Sequence, residues 1–66
     1  MGHLIEISMI QDHRVFYEKN QGNGERFYFT AYVQLFGNGQ FIIDDLILPR
    51  LKQRLFQVLK LAQPKS

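Results

Sequence analysis

Apolar and polar positions alternate with a period of two from Arg26 to Phe36, the longest such run in the chain. Successive side chains of a strand point to opposite faces. One face therefore carries Phe27, Phe29, Ala31, Val33 and Leu35, an apolar set that needs a core. The other carries Arg26, Tyr28, Thr30, Tyr32, Gln34 and Phe36, a polar set that nonetheless holds two tyrosines. Three further runs read as strands. Leu4 to Ile10 places Ile5, Ile7 and Met9 on one face and Glu6 and Ser8 on the other. Arg14 to Lys19 follows a short turn at Gln11-Asp12-His13. The last run begins at Gln40 and passes through Phe41, Ile42 and Ile43. Gly22-Asn23-Gly24 and Gly37-Asn38-Gly39 punctuate these runs. Asn-Gly accepts positive φ and is the strongest short hairpin signal.

From Leu48 the period changes. Leu48, Leu51, Leu55, Val58, Leu59 and Ala62 recur at steps of three and four, while Arg50, Gln53, Arg54, Gln57 and Lys60 take the opposite side. That predicts an amphipathic helix of about four turns. Pro49 suits its first turn. Asp44 or Asp45 is the natural cap, although Asp44 to Leu48 also reads as a strand extension. The predicted fold is α+β: a four-stranded antiparallel meander followed by one C-terminal helix, ββββα, in a single domain over residues 1–66 with disordered tails at 1–3 and 63–66. Loop lengths predict a register. A loop at 37–39 pairs Leu35 with Phe41 and Val33 with Ile43. A loop at 20–24 pairs Glu18 with Arg26, Phe16 with Tyr28 and Arg14 with Thr30 outward, and Tyr17 and Val15 with Phe27 and Phe29 inward. The predicted core is Phe27, Phe29, Val33, Leu35, Ile43, Leu51, Leu55 and Leu59. The helix covers one sheet face and leaves Phe16, Tyr28 and Tyr32 on the other.

Sixty-six residues, six Phe, three Tyr and no cysteine make a small aromatic-rich core with neither disulfide nor thiolate metal site to staple it. Self-association, as a homodimer, is the expected remedy. The charges divide along the chain. Residues 1–45 hold six acids against three cations, a net −3. Residues 46–66 hold five cations and no acid, a net +5. Such a division suggests a basic face that meets phosphate, or else a solvated helix face whose cations favour the helix C-terminus.

Catalysis needs a constellation of groups, and none is present, so no enzyme is expected. His3 and His13 are the histidines; His13 sits beside Asp12 at a turn, and the serines are Ser8 and Ser66. Asp44-Asp45 reads as a cap rather than a hard-cation site, and there is no zinc spacing. No phosphate-binding glycine motif occurs, so neither cofactor nor metal is expected. No apolar run is long enough for a membrane span and no signal-peptide pattern appears, which predicts no membrane partner and a cytoplasmic or nuclear protein.

His13-Arg14-Val15-Phe16-Tyr17-Glu18-Lys19-Asn20, leading through Gly22 to Arg26-Phe27-Tyr28-Phe29, resembles the PUR repeat, a ββββα single-stranded nucleic-acid-binding module with an aromatic strand and a short Gly-containing turn. The segment Leu51-Lys52-Gln53-Arg54-Leu55 is similar to the helix of the PC4-type transcriptional coactivator domain. The likeness spans most of residues 13–62 in pattern, and the sheet has fewer basic residues than those families show. It implies single-stranded nucleic-acid binding and dimerisation. On that reading Phe16, Tyr28 and Tyr32 stack bases, and Arg14, Lys19, Arg26, Arg50 and Arg54 contact phosphates, with Glu6, Glu18 and Asp44 as opposing charges on or near the same face. The alternative is a protein-interaction or homo-oligomerisation module that uses the aromatic face as its interface.

Overall fold

The computed structural model describes residues 2–24, 26–35 and 39–62. Four strands, β1 (His3–Ile10), β2 (His13–Gln21), β3 (Phe27–Gln34) and β4 (Gln40–Asp45), form one antiparallel sheet in the order β1-β2-β3-β4. Helix α1 (Leu48–Ala62) follows. The fold is the α+β meander-plus-helix that the change of period predicts. β1 begins at His3, inside the segment predicted as a tail.

The hairpins correct the predicted registers. Gln11 and Asp12 form a two-residue turn with φ of 51° and 68°, closing β1 and β2 at Ile10 and His13. Positive φ at both central residues gives a turn whose twist matches that of the strands. In the second hairpin β2 runs on to Gln21, opposite Phe27. The Gly22 N–H then donates to the Arg26 carbonyl at 2.8 Å, so the loop lies later than predicted. Glu18 faces Thr30 rather than Arg26, a displacement of four residues. In the third, the Leu35 N–H donates to the Gly39 carbonyl at 2.8 Å. Val33 therefore pairs with Phe41 and Ala31 with Ile43, two residues from the predicted partners. A Cβ at Gly39 would sit 2.7 Å from the end of the Leu35 side chain, which would have to shift to admit it. Both displacements are even, and an even slip leaves every side chain on its own face.

The core lies between the sheet and α1. Val15, Tyr17, Ala31 and Val33 from the two central strands meet Leu51, Leu55 and Leu59, and all seven are buried. The four-residue step of the leucines keeps them on one stripe of the helix. Each buried leucine contributes roughly 2 kcal/mol of apolar burial. Phe29, Leu35 and Ile43 pack partly buried at the margin. The prediction fails at Phe27, which shares the parity of the core face but is 46% exposed. The helix packs on β3 and β4, and Lys19 takes its place, with Nζ 4.4 Å from the Phe27 ring centre. Val58, predicted on the apolar stripe, is exposed.

Candidate functional site

The junction between sheet and helix is built on Asp45. Its side chain is buried at the end of β4. It accepts hydrogen bonds from the Ile47 N–H at 3.2 Å, Arg50 Nε at 2.8 Å and Arg54 Nη1 at 2.7 Å. Arg54 also donates to the Asp44 carbonyl at 3.0 Å. These bonds hold the Asp45 carboxyl well below the usual carboxylate range, Arg50 first and Arg54 second, and Asp45 in turn raises Arg50. Asp45 is thus not the helix cap. The first helical bond runs from the Leu51 N–H to the Ile47 carbonyl, and Asp45 lies two residues earlier as a clamp on the helix side chains. Arg50 and Arg54, four residues apart, share the helical side that this clamp requires.

Lys52 adds a second tie. Its Nζ lies 2.7 Å from Glu6 Oε1 on β1 and 5.2 Å from the centre of the Tyr17 ring. Glu6 pairs with Tyr17 and so faces the helix side, not the open face. The predicted cluster of phosphate-binding cations is thereby divided. Arg50 and Arg54 lie on the helix side against Asp45. Lys19 has the parity of Val15 and Tyr17 and covers Phe27. Arg26 is exposed in the β2–β3 loop. Arg14 stands on the open sheet face, and Arg26, two residues before Tyr28 and in register with Gly22, lies at the loop end of that face.

That face is ordered in rows by the strand registers. Ile7 pairs with Phe16, Phe16 with Tyr32, and Tyr32 with Ile42. These four side chains form one apolar row across every strand of the sheet, about 14 Å from end to end at the usual strand spacing. On one side lies the row Met9, Arg14, Gln34 and Gln40. On the other lies Leu4, Glu18, Thr30 and Asp44. Leu4 reaches this face because the register shifts between Leu4 and Glu6, leaving Ile5 as the extra residue of a bulge. Ile7 and Ile42 are 54% and 57% exposed, and Leu4 and Met9 are also more than half exposed.

The three predicted aromatics, Phe16, Tyr28 and Tyr32, do share this face, each half-buried. The Tyr32 hydroxyl donates to Glu18 Oε1 at 2.9 Å, which raises the phenol above its ordinary value. Asn20 Nδ2 donates to Thr30 Oγ1 at 2.8 Å, helping to bury Thr30. What the sequence reading missed is the aliphatic share of the face. Ile7 and Met9 alternate like core residues, yet their partners Phe16 and Arg14 point them outward. The helix leucines cover the other face, against Val15, Tyr17, Ala31 and Val33.

Among the described residues no three His, Cys, Asp or Glu side chains gather as metal ligands, and no helix is long and apolar enough to cross a membrane. The chain matches no family model, no curated protein and no solved structure.

Proposed function

We propose that this chain is a protein-association module whose open sheet face is its interface. The observation that carries this reading is the continuous apolar row Ile7–Phe16–Tyr32–Ile42 with a more polar row on either side. Interfaces are built as a desolvated aromatic and aliphatic centre within a polar rim. Exposed contiguous apolar surface on a small domain marks a contact site. A single-strand platform has other needs: free aromatic faces and cations tracking the backbone. On this face Arg14, with Arg26 at its loop end, stands against Glu18 and Asp44, so cations do not exceed acids. Of the helix cations that favoured phosphate, Arg50 and Arg54 meet Asp45 and Lys52 meets Glu6, while Lys60 is exposed.

Fluorescence anisotropy with a labelled single-stranded oligonucleotide at low salt separates the two readings. The expected result is no binding by the intact chain. Salt-dependent binding that Tyr28→Ala weakens by about 1–3 kcal/mol, and that Ile42→Lys strengthens, would overturn the association reading in favour of nucleic acid.

A further inference from the structure

We infer that the partner of the open face is a second copy of this chain, packed face to face about a two-fold axis that runs along the apolar row, perpendicular to the strands. The inference rests on the association reading and adds an occupant and a geometry to it.

Two sheets packed face to face about 10 Å apart keep their strands roughly aligned. Two in-plane two-fold axes allow that, one along the strands and one across them. An axis across the strands, along Ile7–Phe16–Tyr32–Ile42, lays each strand over its own equivalent and exchanges the two flanking rows. On β1, Met9 then lies over Leu4 of the second copy, apolar on apolar. On β2, Arg14 lies over Glu18 of the second copy, opposite charges. On β3, Gln34 lies over Thr30, whose buried hydroxyl is already bonded to Asn20 and adds no match. On β4, Gln40 lies over Asp44, an amide over a carboxylate. By the two-fold each match occurs twice. Three of the four strands are self-complementary in kind, the arrangement an isologous dimer requires.

An axis along the strands keeps each row over itself in reverse. Leu4 then faces Asp44, Met9 faces Gln40, and Arg14 and Glu18 face neutral side chains. Charge complementarity therefore selects the first axis. Arg14 and Glu18 stand two residues either side of Phe16, so the axis lies midway between them. Among the described residues Arg14 makes no ion pair. Glu18 engages Oε1 with Tyr32, which leaves its second oxygen for an arginine from across the interface.

The test is a charge swap on the full chain, followed by sedimentation equilibrium from micromolar to millimolar concentration, with circular dichroism to confirm folding. The wild type is expected to dimerise. Arg14→Glu or Glu18→Arg alone places like charges over one another and should weaken the dimer ~10-fold or more. An equimolar mixture of the two variants restores both attractions and should form a heterodimer, and the double variant R14E/E18R should dimerise again. A wild type that stays monomeric over the whole range overturns the inference, while the oligonucleotide assay still decides the association reading. A dimer that Ile42→Lys weakens but the charge swap does not move overturns this axis and leaves the association reading standing. A dimer indifferent to both sets of changes overturns both.

Discussion

The two faces of the sheet come from the same alternating strands, but their charges and apolar side chains are satisfied in different ways. On the helix side Leu51, Leu55 and Leu59 bury the apolar residues of β2 and β3, and the charges close within the chain as Asp45 with Arg50 and Arg54, and Glu6 with Lys52. On the open side an apolar row stays more than half exposed at both ends. Arg14 and Glu18 flank it four residues apart on one strand, where neither reaches the other directly. The contrast bears on the division of charge along the sequence. Three of the five cations in the basic C-terminal third, Arg50, Lys52 and Arg54, meet acids of the sheet. What the open face offers is the apolar row, the opposite charges Arg14 and Glu18 placed symmetrically about it, and the exposed Asp44.

The largest break in the comparison should come from a core leucine. Leu55→Ala removes a fully buried side chain and should lower unfolding free energy by about 2–5 kcal/mol, read by urea denaturation. Ile42→Lys, at a site 57% exposed, should change monomer stability by no more than about 0.5 kcal/mol while weakening association. If the two substitutions cost the monomer equally, the faces are not different in kind.

Next comes the clamp. The folded carboxyl of Asp45 titrates well below its ordinary value. Over that interval the unfolded chain binds the extra proton, so stability falls as pH falls. The contribution of Asp45 is complete above the ordinary carboxylate value near ~4 and is lost progressively below it. Asp45→Asn should lower stability at neutral pH and flatten the acid limb of a pH–stability curve. An acid limb as steep as wild type would remove Asp45 from this role.

How much of this was legible in the sequence depends on which interaction fixed each feature. The element order follows from local signals: two Asn-Gly turns and a period that changes at Leu48. Face parity survived because both register displacements were even. The partners themselves were not legible, since they depend on where the Gly22–Arg26 and Leu35–Gly39 closures fall. Asp45 was legible as an acid near the helix start, but its true partners lie one and two turns into the helix. The spacing of Arg50 and Arg54 was the available signal. Phe27 followed parity correctly and still lies exposed, because burial also requires a helix overhead. Ile7 and Met9, patterned like core, are exposed for a different reason: pairing with Phe16 and Arg14 places them on the face away from the helix.

Two smaller effects probe the turns that hold the faces in register. Gly24 has φ of 77° and open space where a Cβ would stand. Gly24→Ala should therefore cost about 1 kcal/mol from backbone conformation alone, measured by thermal unfolding. Gln11, at φ of 51°, pays a left-handed penalty. Gln11→Asn or Gln11→Gly should stabilise by about 0.5–1 kcal/mol. A loss of stability in both would place a necessary contact on the Gln11 side chain.

The central claim is that the open face, and not the helix, is covered when the protein associates. Hydroxyl-radical labelling of the intact chain across a concentration series tests it most directly. Met9, Phe16 and Ile42 report on the open face, and Phe56, half exposed on α1, reports on the other side. The account predicts that labelling of Met9, Phe16 and Ile42 falls as concentration rises while Phe56 stays constant. Protection of Phe56 with the open face still labelled, or no change at any residue up to millimolar concentration, would contradict it.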